Sequence, residues 1–106
     1  MEAIHTDGAP AAIGPYSQAI QVGGLLFCSG QIALPAGSGG ALVEGGVEAE
    51  ARQSLTNLKA VLEAGGASLG TVVKTTVFLL HMEDFPAVNA IYAEFFGDHR
   101  PARACV

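Results

Sequence analysis

Arg103 and Cys105 stand two places apart in "PARACV", a stretch of small and apolar residues in a chain of 106. A guanidinium carries its donors in a planar fork that matches a carboxylate, and taking it out of water is costly unless it is paired. In an extended segment, alternation sends Arg103 and Cys105 to one face and Ala102, Ala104 and Val106 to the other. On sequence alone Arg103 is the partner of an Asp or Glu, an exposed arginine on an edge strand, or the anchor for a ligand carboxylate. Cys105 reads as a small buried thiol, or as one made reactive by the cation on its face.

Other polar groups offer less. Tyr16, after Gly14-Pro15, is either a core residue or the donor of a hydroxyl to a site. Asn89, next to Val88, reads as a helix-surface amide beside an apolar stripe. His5, His81 and His99 fall in separate segments and suit surface or capping roles. Glu83 and Asp84 adjoin a helix start, where cap and dipole account for them without a metal. No Ser-His-Asp set, Cys-His set or metal-ligand spacing appears.

Composition narrows the classes of function. The net charge is −5, and Arg52, Lys59, Lys74, Arg100 and Arg103 are scattered singly. No basic stripe exists to displace counterions from a nucleic acid. No apolar run approaches the roughly 20 residues of a membrane helix, and the first residues have no basic-then-apolar signal pattern. Two cysteines make no disulfide framework, so a cytoplasmic protein with reduced thiols is expected. One domain spanning 1–106 accommodates a core of its own.

The elements that would position these groups follow from periodicity. "SQAIQVGGLLFCSGQIAL" (17–34) reads as two strands around Gly23-Gly24, where a tight hairpin needs positive φ. The first 15 residues read as an extended lead-in. Ala51, Leu55, Leu58 and Leu62 recur at helical spacing over 47–64, and Gly65-Gly66 stops that helix. "TVVKTTVFLL" (71–80) is dense in β-branched residues and reads as a strand. Asp84 suits an N-cap for a second helix, opened by Phe85-Pro86 and closed by Gly97. Pro101 opens a final apolar strand, read as buried. The order β-β-α-β-α-β indicates an α+β domain with two helices on one face of a mixed sheet.

"APAAIGPYSQAI", "FCSGQIAL", "ARQSLTNLKAVLEAGGASL", "VVKTTVFLLHMEDFPAVNAIYAEFF" and "RPARACV", in this order, resemble the RidA family, also called YjgF or L-PSP. The resemblance covers essentially the whole chain. It implies a chorismate-mutase-like fold and a barrel-like homotrimer with clefts between subunits. It also implies hydrolytic deamination of reactive 2-imino or enamine acids, such as 2-iminobutanoate and 2-iminopropanoate, to 2-keto acids and ammonia, a reaction that requires neither a metal nor an organic cofactor. By resemblance Arg103 clamps the substrate carboxylate, Ser29 and Gly30 offer backbone groups, and Tyr16, Phe85, Asn89 and Cys105 line the pocket. Family members run on for about 20 residues beyond "PAR-x-x-V" into a further strand with a water-positioning glutamate; without that strand a sheet keeps an open edge. No carboxylate within these residues matches that glutamate.

Two other classes of function compete with the deaminase. One is a non-catalytic binder of small carboxylates or metabolites that uses the same cleft. The other is an endoribonuclease, disfavoured by the acidic chain and the lack of an acid–base pair.

Overall fold

In the computed structural model, which describes residues 1–106, Gly23 and Gly24 adopt φ of +56° and +79°. Positive φ at both positions is what a type I′ turn demands, and glycine meets it without a Cβ clash. The turn joins β2 (Ala19–Val22) to β3 (Leu25–Cys28) in an antiparallel pair. The lead-in contributes a strand of its own, β1 (Glu2–Ile4), which pairs antiparallel with β2 and sets Ile4 opposite Ala19. Buried Gln18 fastens the segment after β1. Its carbonyl accepts the Thr6 N–H at 2.7 Å, while its amide donates to Thr6 O at 3.1 Å and to Pro10 O at 2.8 Å.

Helix α1 (Gly46–Ala64) packs its apolar stripe on this sheet. Val61, fully buried, forms a core with Ile4, Ala9 and Ala19, flanked by Leu26, Cys28 and Ala60. The helix stops where predicted. Gly66 at φ +81° lets its own N–H reach Glu63 O and the Ala67 N–H reach Leu62 O, the paired bonds of a Schellman ending. Gly65 makes room for a neighbour: a Cβ there would lie 2.6 Å from a Leu26 methyl and push that side chain aside. Asn57, fully buried on the same helix, donates to the carbonyls of Ile32 (3.1 Å) and Leu34 (2.9 Å) and accepts from Gln53 (2.9 Å). It thereby supplies partners for a loop that has no ladder of its own.

After a turn of 3₁₀ helix at Leu69–Thr71 come β4 (Lys74–Val77), a second such turn at Met82–Asp84, helix α2 (Phe85–Phe96) and β5 (Ala102–Cys105). Strands β4 and β5 pair in parallel, with Thr75 opposite Arg103 and Val77 opposite Cys105. The two helices pack against each other beneath the strands. Leu26 and Cys28 of β3 and Thr75 and Val77 of β4 point inward and are half-buried, while Leu25, Phe27, Lys74 and Thr76 are exposed.

Three expectations need correction. The single mixed sheet is two sheets, β1-β2-β3 antiparallel and β4-β5 parallel. No strand lies between β3 and β4, so no ladder joins them. The strand expected over 71–80 is shortened to β4 for the same reason. Its ladder to the last strand continues only through single bonds at Val73, Val77 and Leu79, and Phe78 and Leu80 stand 79% and 91% exposed. Asp84 does sit at the N-cap, but its side chain caps nothing: its backbone is helical, and the 3₁₀ turn runs directly into α2.

Asn57→Ala would leave two loop carbonyls facing an apolar helix. Urea unfolding should register a loss of about 2–4 kcal/mol, the cost of unsatisfied buried acceptors rather than of one exposed hydrogen bond.

Candidate functional site

Phe85, Asn89 and Tyr92 are spaced i, i+4 and i+7 on α2 and therefore share one face. The parallel pairing of β5 with β4 carries Arg103 over that face. The guanidinium carbon lies 4.8 Å from the Tyr92 ring centroid and 5.3 Å from that of Phe85. Both distances are within cation–π range. One guanidinium nitrogen, NH1, donates to Asn89 Oδ1 at 2.7 Å. The Tyr92 hydroxyl is hydrogen-bonded to Thr75 Oγ1 at 2.8 Å, and its ring stacks on Phe96 at 4.4 Å between centroids. The arginine is thus fixed by two rings and one amide, and the tyrosine is fixed in turn by a threonine and a phenylalanine.

No carboxylate takes part. The chain's ion pairs are His5–Asp7 and Arg52–Glu94, so the ion-pair reading of Arg103 does not hold. The strand is not buried either: Ala102 and Arg103 are exposed and Val106 is 60% exposed, because β5 has a neighbour on one edge only. A cation whose only polar partner is a neutral amide oxygen keeps its charge uncompensated. Its remaining N–H donors are free for an incoming anion.

The other residues expected at the site lie elsewhere on the chain. Cys105 is half-buried in β5, opposite Val77. Tyr16, 55% exposed, borders a cavity of about 220 Å³ together with Gly30, Gln18 and Ile32. Ser29 precedes Gly30, but its groups are committed: its N–H goes to Gln18 O at 2.9 Å and its hydroxyl to Ser17 O. Of the backbone donors expected from this pair, only the Gly30 N–H is free. No hydrogen bond or ring contact links Tyr16, Ser29 or Gly30 to Arg103. One chain holds two separate groups, Phe85-Asn89-Arg103 and Tyr16-Ser29-Gly30.

Tyr92 has no part among the site residues expected from the sequence. The i+3 step from Asn89 and the i+7 step from Phe85 were the signal that could have found it. Thr75 carried none, since only the parallel register brings it to Tyr92. Among the histidines, His99 has a structural role. Its Nε2 meets Val72 O at 2.6 Å and ties the segment after α2 to the approach of β4.

The family model described as endoribonuclease L-PSP matches residues 6–106. A RutC family protein of Pyrococcus horikoshii is 50% identical over 105 residues, covering 99% of this chain and 82% of the relative. The 2-iminobutanoate/2-iminopropanoate deaminase of Escherichia coli K12 is 49% identical over 106 residues, covering 97% of this chain and 81% of the relative. A crystal structure of E. coli TdcF with bound serine superposes with a TM-score of 0.92 at 40% identity, covering 100% of this chain and 84% of that one.

Cys28, beside Ser29, is the titratable group near these residues that burial affects most clearly: desolvation pushes its thiol pKa up. The folded state then holds the thiol proton more tightly than the unfolded chain does. This contribution to stability is complete below the ordinary thiol pKa and lost as pH rises through the raised one. Iodoacetamide should modify Cys28 more slowly at pH 8 than it modifies the unfolded chain, and stability should decline above the ordinary thiol range in the parent but less in Cys28→Ala.

Proposed function

The chain belongs to the endoribonuclease L-PSP family, that of the RidA and YjgF proteins, and on that footing we propose that it hydrolyses 2-imino acids to 2-keto acids and ammonia. The observation that carries the reading is Arg103, a guanidinium held over two rings with no acidic partner. A carboxylate suits that position, because its two oxygens match the donors left free by Asn89. The identity to the E. coli deaminase supports the same activity.

The reaction asks little of the protein. Water adds to the imine carbon and its proton passes to nitrogen. The carbinolamine then expels ammonia and leaves the carbonyl. An imine next to a carboxylate already hydrolyses in water, so the protein's part is to orient it and admit the attacking molecule. Arg103 would fix the carboxylate and Phe85 would wall the small side chain. The Gly30 N–H, with Tyr16, would face the reacting end as a donor.

Those last groups do not meet Arg103 within one chain, and assembly would bring them together. We take a homotrimer as the form in which the Arg103 group of one protomer faces the Tyr16-Gly30 group of the next. What supports assembly is the surface. Half the residues are apolar, yet only 11 of 106 are buried, and Leu25, Phe27, Val73, Phe78 and Leu80 are among the exposed ones. A monomer that leaves so much apolar surface in water has reason to associate.

A second reading, binding of small amino or keto acids without turnover, is favoured by one observation: no acid or base touches Arg103, and the TdcF relative was solved with serine bound. RNA cleavage, which the family description suggests, gains nothing from a chain of net charge −5 without a basic stripe.

The deaminase reading is tested by generating 2-iminobutanoate with threonine dehydratase and following its decay. Arg103→Ala should lower kcat/KM by about 100-fold, the worth of a charge-assisted bidentate contact. Arg103→Lys should recover little of it, because an ammonium lacks the fork. Decay that is equally fast with Arg103→Ala defeats the proposal, and heat of 2-ketobutyrate binding without turnover selects the binder. Asn89→Ala should act mainly on KM, by about tenfold, since it loosens the anchor without removing it. Sedimentation should show a trimer, and a monomer at micromolar concentration would exclude a site shared between subunits.

A further inference from the structure

Two hydroxyls meet on the inner side of β4, where apolar residues would pack as well. Thr75 Oγ1 and the Tyr92 hydroxyl are 2.8 Å apart, both residues are half-buried, and neither hydroxyl has another hydrogen-bond partner in the chain. A valine at 75 would suit a strand at least as well as threonine does. A phenylalanine at 92 would stack on Phe96 in the same way. Replacing both partners of such a bond by apolar groups of the same shape leaves stability nearly unchanged. What the bond supplies, and packing does not, is direction.

Direction matters here because of what stands over the ring. Arg103 is opposite Thr75 in the parallel pair, so both side chains leave their strands on one face. The guanidinium carbon is 4.8 Å from the Tyr92 centroid, nearer than to that of Phe85 at 5.3 Å. Thr75, Tyr92 and Arg103 therefore close a triangle, its sides fixed by a strand register, a hydrogen bond and a cation–π contact. Phe96, only 6% exposed, stacks on Tyr92 at 4.4 Å and leaves the ring no room to retreat. A second tie, His99 Nε2 to Val72 O at 2.6 Å, holds the segment after α2 to the approach of the same strand. Asn89 fixes one edge of the guanidinium through NH1, but a single hydrogen bond lets the group swing about it. The ring decides where the rest of the fork goes.

We propose that Thr75 and Tyr92 are positioning residues for the carboxylate anchor: the Thr75 hydroxyl sets the tilt of the Tyr92 ring, and the ring sets the plane in which Arg103 presents its free donors. Both act through Arg103 rather than on the substrate. A bidentate contact is sensitive to that plane, since both oxygens must meet donors at once. The deaminase reading assigns these two residues nothing, but the kinetic arm of the test rests on it.

The test is the double variant Thr75→Val/Tyr92→Phe, which deletes both hydroxyls and keeps both shapes. Its thermal midpoint should stay within about 2 °C of the parent's. With 2-iminobutanoate generated by threonine dehydratase, KM should rise about fourfold while kcat changes by less than about twofold. Each single variant should show the same rise, because either one breaks the same bond. Thr75→Ser, which keeps the hydroxyl, should retain the parent KM. In an Arg103→Ala background the double substitution should add nothing. A direct readout is rotation about the Arg103 Nε–Cζ bond, followed by nitrogen-15 NMR, which should speed up about threefold in the double variant. That arm does not depend on turnover. A parent that hydrolyses no imine therefore defeats the deaminase reading alone, and the rotation rate still decides between a positioned and an indifferent arginine. An unchanged rotation rate overturns the inference. So does a KM rise that survives in the Arg103→Ala background, or a lowered midpoint with KM unchanged, which makes the pair purely structural.

Discussion

The packing of α1 against α2 is the interaction on which the rest of this structure depends. The two sheets share no ladder, so the helices are what hold β3 and β4 at opposite sides of one layer. The helix contact is mainly apolar. The Arg52–Glu94 pair that crosses it, at 2.7 Å, is about half exposed on both sides and adds little in water. The salt bridge raises the Arg52 pKa further, but an arginine is charged in either case. Both helices carry buried apolar residues: Val61 and Leu62 on α1, with Val61 in the core beneath the first sheet, and Val88, Ile91 and Phe96 on α2.

That constraint carries through to the site. Helix α2 presents Phe85, Asn89 and Tyr92 along one line, and β5 crosses the line at Arg103 because its register on β4 is fixed. The result is a cation positioned mainly by uncharged groups. A carboxylate in place of Asn89 would hold the arginine as firmly and neutralise it. An amide orients the guanidinium and leaves its field available to a ligand. The Tyr16-Gly30 group flanks the other sheet, just before β2 and just after β3, and makes no hydrogen bond or ring contact with Arg103.

Buried amides do the quieter work. Gln18 and Asn57 are the buried polar residues, and each satisfies backbone that has no ladder: Gln18 the stretch after β1, Asn57 the loop after β3. Neither stood out in the sequence. Gln18 falls there inside the segment 17–34 read as two strands, and Asn57 inside the helix read over 47–64. An amide declares its role only when the carbonyls it serves are in place, because those lie many residues away along the chain.

The sequence alone determined what is local. Helical spacing marked α1, Phe85-Pro86 and Gly97 marked the ends of α2, Gly23-Gly24 marked the hairpin, and Gly65-Gly66 marked a helix end, because each rests on contacts within a few residues. The quoted motifs also carried the family, and the acidic charge argued against a nucleic-acid partner. Tertiary structure decided the rest. It alone showed that Arg103 has an amide and two rings for company, that the Ser29 N–H is already taken, and that β3 and β4 face each other unpaired. Each of these depends on which distant segments meet. A strand's sequence states that it wants partners, but only the fold shows which edge has found one.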